Sequence, residues 1–406
     1  MEATAKRNIK ITQWVNFFAG ITFLVPIIEI FYTYTGLSIM EIVIVSNVFT
    51  LVTWIFEIPT SAFADTMGRK KSLMISVISN FLGALCILFF PHLWGFIIAS
   101  FFSALYFCFW SGTEQAFIDE NLKILGNQQG FGKVFGNNLF LQQLAGFITP
   151  VLASLMLKYF HGTGYTILAI LDVIFAGILI ILQYKIVEVQ VIRARIGSFA
   201  RMIKENIFVA KTAIINIRTN TNLKTLLLYR SLSSSASFFT IILLPTLATK
   251  GMPDWYSGFI VMGGTIAFMI SSKFIYKIGE KYSYNLTWVL GTVAQGLLLI
   301  IVGYFFQSWV FIWIVFILME FFEGFWQTSW NHILVEQSGG IAVATTRSII
   351  FSLFALYATI LKQAVSFLGV NYALLIIGSI ILIANIFLGR KILHIKKKPL
   401  LNQQRS

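Results

Sequence analysis

Twelve apolar stretches alternate with short polar turns along the chain, at roughly 12–34, 40–63, 72–91, 93–118, 134–158, 164–186, 223–249, 255–278, 284–305, 308–335, 344–368 and 370–391. Each is close to the about twenty residues that a helix needs to cross a bilayer. One long polar segment, 188–222, leaves six stretches on either side of it. The pattern predicts an all-α membrane protein of twelve transmembrane helices in two six-helix bundles, 1–187 and 223–406, joined by a linker at 188–222. The linker is itself patterned. Ile192, Ile196, Phe199, Ile203 and Ile207 recur at helical spacing with Arg193, Arg195, Arg201 and Lys204 between them. That suits an amphipathic helix on an anionic leaflet, the alternative being a solvated linker. Lys6, Arg7 and Lys10 precede an apolar run longer than a signal-peptide core and without a small-residue cleavage pattern, so the first helix reads as retained.

Composition agrees: 57% of the 406 residues are hydrophobic and 11% charged, against about 25% charged in an ordinary soluble domain. A formal net charge of +14 would suggest a nucleic-acid partner in a soluble protein. Here it is a topology signal. With both termini and 188–222 placed in the cytoplasm, 26 of the 30 Lys and Arg lie inside, and only Lys158 and Lys250 lie in outside loops. The expected partners are therefore anionic lipids at the cytoplasmic face and no nucleic acid. Cys86 and Cys108 both sit in apolar stretches without paired spacing, which argues against zinc or disulfide chemistry.

A weak repeat relates the halves. Ser61 to Lys70 reads SAFADTMGRK and Ser272 to Lys281 reads SKFIYKIGEK, an offset of 211, while Gly112 and Gln115 match Gly324 and Gln327 at 212. Near-equal offsets are expected of transporters built from two parallel repeats.

The segment Glu57 to Leu73, EIPTSAFADTMGRKKSL, resembles the Gly-x-x-x-Asp-x-x-Gly-Arg-Lys/Arg signature between the second and third helices of the major facilitator superfamily, in particular bacterial, drug-efflux-like members. Ser61 replaces the first glycine; Asp65, Gly68, Arg69 and Lys70 are in place. The resemblance implies a gate at the cytoplasmic side. Asp65 would contact the start of the eleventh helix, near Thr345, Thr346 and Arg347, and Arg69 would reach a carboxylate at the end of the fourth, Asp119 or Glu120. The antiporter pattern of the fifth helix is incomplete: Ala145, Thr149, Pro150, Ala153 and Ser154 keep the positions small, but its glycines are missing.

Ionisable residues inside spanning helices mark candidate sites. Glu320, Glu323 and Asp172 fall nearest the midplane, Glu29 toward the outside, Glu57 and Glu114 toward the cytoplasm, with Arg230 and Lys362 the basic candidates. Glu320, Glu323, Gln327 and Asn331 recur at three or four residues and so line one helix face. Two carboxylates this close in low dielectric resist being ionised together, which makes Glu320 and Glu323 the first proton-coupling candidates, with Glu29 and Glu114 next. Substrate-cavity candidates are Gln327, Asn331, Trp326, Arg230, Ser237 and Glu57. Asp172, in a helix the family uses as outer support, reads as half of a structural pair. Polar stripes also run along the second helix (Ser46, Thr50, Thr53, Glu57, Ser61), the fourth (Ser100, Ser103, Ser111, Glu114), the seventh (Arg230, Ser233, Ser237, Thr240) and the eleventh (Ser348, Ser352, Thr359, Lys362, Ser366). Such stripes serve either a cavity or close helix packing.

The reading is a secondary transporter of a bacterial cytoplasmic membrane that exports a small organic compound by alternating access, coupled to protons, as a monomer without cofactor or metal. Acidic residues outnumber basic ones within the spans, which favours cationic or neutral substrates. No Walker A motif occurs, and no clustered His, His-Glu-x-x-His or Gly-x-Ser-x-Gly supports an enzyme. The rivals are proton-coupled uptake of a nutrient and a transport-dead receptor or scaffold.

Overall fold

The computed structural model describes residues 1–127, 131–188, 221–233, 236–305, 308–338, 363 and 367–395. The linker residues 189–220 and most of the predicted eleventh helix, with Arg347 and Lys362, lie outside them. Among the described residues the chain is helical throughout, and nine helical segments are long and apolar enough to cross a membrane.

The first span, Glu2–Tyr34, is not one helix. α1 covers Glu2–Gly20, the backbone leaves the helix at residues 21–24, a 3-10 turn at Val25–Ile27 follows, and α2 runs Ile28–Tyr34. Pro26 suits the start of the second piece, because a first-turn residue has no helical use for an N–H. α3 (Ile39–Met67) starts at a capping box in which Ser38 and Glu41 satisfy each other's backbone N–H groups. It ends at Gly68, whose φ of 111° is open to glycine and costly for other residues, and α4 (Arg69–Phe89) begins at once. The predicted fourth helix is also two pieces. α5 (Leu93–Trp110) and α6 (Thr113–Ile124) meet at Ser111 and Gly112, where Gly112 has φ 74°. Hydropathy did not register these breaks because the residues that carry them are apolar or small. α7 (Phe131–Phe160) and α8 (Gly162–Tyr184) complete the first six spans.

In the second half α9 (Thr221–Ser233) and α10 (Ser237–Thr249) occupy the predicted seventh stretch. α11 (Ser257–Lys281), α12 (Tyr284–Tyr304), α13 (Trp309–Ser338) and α14 (Val370–Ala384) follow. A π-helical turn at Asn385–Gly389 leads to the short α15 (Arg390–Leu393).

Two compact units are present, Met1–Ile207 with Pro253–Phe259, and Phe208–Met252 with Ile260–Ser406. In the first, residues 253–259 lie against the end of α7 and the start of α8. Gly258 N–H donates to Ser154 Oγ at 2.8 Å, the Tyr165 hydroxyl donates to Asp254 Oδ2 at 2.9 Å, and Lys158 Nζ stands 4.7 Å from the Trp255 ring centroid. A Cβ on Gly258 would fall 1.8 Å from the Pro150 carbonyl oxygen. Gly258 thus allows backbone-to-backbone approach to α7, the packing currency of helices in lipid, where apolar burial offers little drive. In the second unit the same device joins α12 and α14: a Cβ on Gly378 would lie 2.7 Å from the Gly296 carbonyl oxygen. Its core holds Trp288 edge-on to Tyr229, with Trp330 beside it.

Candidate functional site

In the second unit, Glu323 on α13 is the centre of a polar cluster. Its Oε2 accepts hydrogen bonds from Gln295 Nε2 on α12 at 2.8 Å and from Trp326 Nε1 one turn away at 2.9 Å. Arg230 on α9 lies over the Trp326 ring, its Cζ 4.0 Å from the centroid, and close enough to Glu323 to act on it electrostatically. The cluster places a carboxylate, an amide, an indole and a guanidinium together, a set that can bind a polar organic group and hold a proton. Glu320, half-buried and one turn before Glu323, points elsewhere. A Cβ on Gly264 of α11 would lie 2.9 Å from Glu320 Cγ, so the glycine makes room for this side chain. Its carboxylate hydrogen-bonds no described residue. The two acids therefore interact through space and keep different surroundings. The side chains of Gln327, Asn331 and Ser237 lie outside the described residues.

The first unit has its own buried carboxylate. Glu114 at the start of α6 accepts from Asn16 Nδ2 on α1 and from Asn138 Nδ2 on α7 at 3.1 Å, both on Oε1. A turn or two closer to the chain start, Asn8 Nδ2 donates to Asn121 Oδ1 and to the Val187 carbonyl oxygen, each at 2.9 Å, and Asn8 Oδ1 accepts the Val187 N–H at 3.1 Å. Amides thus tie α1, α6, α7 and the end of α8. Glu29 on α2 and Glu57, in the second half of α3, are each half-buried.

At the Gly68 turn, Arg69 Nε donates to Glu120 Oε1 at 3.3 Å, with both side chains largely buried. Asp119 does not join it. Successive helical residues point about 100° apart, and Asp119 instead pairs with Lys123 at 2.6 Å on the exposed face. Glu188, which follows α8, accepts the N–H groups of Arg69 at 3.1 Å and Lys70 at 2.7 Å, capping α4 from 118 residues away. Lys70 Nζ lies 5.3 Å from the Tyr184 ring centroid. The side chain of Asp65 lies outside the described residues.

Residues 11–360 match the sequence profile of the Major Facilitator Superfamily. The chain belongs to this superfamily. It is a multi-pass membrane transporter and not an enzyme. No curated protein matches its sequence. Among solved structures it resembles the nucleoside transporter NupG (TM-score 0.72, 13% identity, 96% of this chain and 99% of that one). It also resembles a POT family transporter in complex with 5-aminolevulinic acid (0.72, 14%, 95% and 96%) and a D-xylose-proton symporter (0.65, 13%, 95% and 96%). At these identities the likeness is one of fold.

Against this superfamily fold the polar stripes separate into two kinds. In α3 the Thr50, Thr53 and Thr60 hydroxyls donate to carbonyls one turn back, and Thr60 also reaches the Cys108 carbonyl on α5. Ser100 donates across to the Val45 carbonyl at 2.8 Å. The Thr50 and Thr53 bonds stay within their helix, whereas those of Thr60 to Cys108 and of Ser100 to Val45 join α3 to α5 as packing contacts. The fourth-helix stripe does not continue through Ser111, because the helix breaks there. Sequence reasoning missed Asn8, Asn16, Asn121, Asn138, Gln295 and Glu188. For the five amides the signal was present, since an amide within an apolar helix must find a partner.

Proposed function

We propose that this transporter moves a small cationic or neutral organic compound across a bacterial cytoplasmic membrane, coupled to protons through Glu323 and Glu320, and that it works as an exporter. The Glu323 cluster carries the reading. A carboxyl group held by Gln295 and Trp326 can change charge without stranding either buried donor, because both bond to Oε2, which stays a carbonyl acceptor with two lone pairs when the proton sits on Oε1. Glu320, a turn away, is the second acid through which a proton enters or leaves. Trp326 is buried with Arg230 over its ring, and it offers that face to an apolar or cationic substrate once the guanidinium moves away. In this scheme Arg69 and Glu120 stabilise the closed cytoplasmic side and are exchanged during the cycle.

Uptake by symport is the second reading, favoured by the likeness to a D-xylose-proton symporter. Direction separates the two. In everted vesicles energised to an acidic interior, an exporter accumulates a cationic amphipathic dye such as ethidium; a symporter instead raises uptake of xylose or a nucleoside by intact cells. Dye accumulation absent from everted vesicles, with sugar or nucleoside uptake present in cells, would overturn export.

A further inference from the structure

A cavity of about 50 Å³ lies inside the first unit, where α1 breaks, away from the carboxylates invoked for coupling. That volume admits a few waters, each needing about 10–15 Å³, or one small cation with part of its shell. Its polar lining is Thr22 from the break, Asn80 on α4, Ser103 on α5 and Asp172 on α8. The side chains of Thr22, Asn80 and Ser103 hydrogen-bond no described residue, so three neutral groups carrying oxygen are left open around one carboxylate. Small residues keep the space: a Cβ on Gly83 would come within 3.6 Å of Ser103 Oγ.

Asp172 is already engaged, and the manner matters. Its Oδ1 accepts the Phe23 N–H at 2.7 Å and its Oδ2 the Leu24 N–H at 3.0 Å. These bonds satisfy the start of the second helical piece and leave each oxygen a further lone pair. The end of α1 contributes the opposite polarity. Of its last carbonyls, those of Phe18 and Gly20 accept the N–H groups of Ile21 and Thr22, each at 3.1 Å, while Ala19 and Ile21 border the cavity at the negative end of the helix dipole. A carboxylate, two hydroxyls and an amide oxygen form a hard, all-oxygen environment. A single carboxylate balances one positive charge, where a divalent ion would call for more. Broken membrane helices hold alkali cations in this way, with unwound carbonyls and a helix C-terminus as ligands.

We propose that this cavity binds a monovalent alkali cation of sodium size, held by Asp172, Ser103, Thr22 and Asn80 at the break in the first span. The cation joins the two pieces of that span to α4, α5 and α8, and its site is independent of the proton-coupling reading, which uses other residues.

The test is thermal unfolding of purified full-length protein, followed by tryptophan fluorescence, while NaCl replaces N-methyl-D-glucamine chloride at constant ionic strength. Direct binding of radioactive sodium to the same samples gives a second readout. The wild type is expected to show saturable stabilisation by sodium and saturable binding. Ser103→Ala removes one ligand without touching the helix break and is expected to weaken the sodium half-saturation about tenfold while the protein stays folded. Asp172→Asn is expected to abolish both signals. Equal stabilisation by sodium and N-methyl-D-glucamine with no bound sodium would show that the cavity holds water only, and would overturn the proposal. Sodium binding left unchanged by both Ser103→Ala and Asp172→Asn would overturn it equally, by placing the cation elsewhere.

Discussion

Removing Asp172 exposes how the first span is held together. Asp172→Ala deletes the acceptors of two backbone N–H groups, those of Phe23 and Leu24, on residues that are 7% and 1% exposed. Each buried donor left without a partner costs about 1–3 kcal/mol, so the loss amounts to roughly 2–6 kcal/mol. Asp172→Asn keeps one carbonyl oxygen and turns an amide N–H₂ toward the other donor, so about half of that cost is expected. The measurement is equilibrium unfolding in mixed micelles by titration with a denaturing detergent, in sodium-free buffer so that no cation contributes. The expected order of stability is wild type, Asp172→Asn, Asp172→Ala. An alanine variant within about 0.5 kcal/mol of wild type would refute the reasoning, since it would mean that the N–H groups find other partners at no cost.

Three further outcomes follow from the packing and the charges. Gly378→Val forces a side chain against the Gly296 carbonyl and is expected to destabilise the protein by about 1–3 kcal/mol, read by the same titration; no loss would show that α12 and α14 separate easily. Glu120→Gln removes the partner of Arg69 and is expected to slow transport at wild-type expression, whereas Asp119→Asn, which disturbs only the exposed pair with Lys123, leaves it unchanged; equal effects would dissolve the proposed gate. In a background with Cys86 and Cys108 replaced, Ser198→Cys in intact cells is expected to resist a membrane-impermeant thiol reagent and Thr163→Cys to react; the reverse pattern would invert the proposed topology.

The spans were legible because hydropathy reports length and burial in lipid directly, and the Glu57 to Leu73 segment carried the family. Backbone interruptions were not. Residues 21–24 sit in an unbroken apolar run, and the group that stabilises the break, Asp172, lies about 150 positions later in a helix that offers no complementary side chain. The partner of Asp172 is backbone, which has no residue-type signal at all. Glu188 escaped for the same reason, since it binds the N–H groups of Arg69 and Lys70 rather than their charges. The acids at 320 and 323 were visible as a stripe, but a three-residue spacing alone could not tell that Glu323 turns to Gln295 and Trp326 while Glu320 faces Gly264. Hydroxyl stripes were the least informative feature, because a serine or threonine in a membrane helix can satisfy itself on the carbonyl one turn back, as Thr50 and Thr53 do.

The proton-coupling claim is tested most directly by reconstituting the wild type, Glu320→Gln and Glu323→Gln in liposomes and following ethidium accumulation driven by an imposed pH gradient beside gradient-free exchange of the dye. The wild type is expected to do both, and each variant to lose the gradient-driven accumulation while retaining exchange, which moves no net proton. Accumulation at wild-type rates by both variants, from mildly acidic to mildly alkaline pH, would contradict it and move the proton site to another acid.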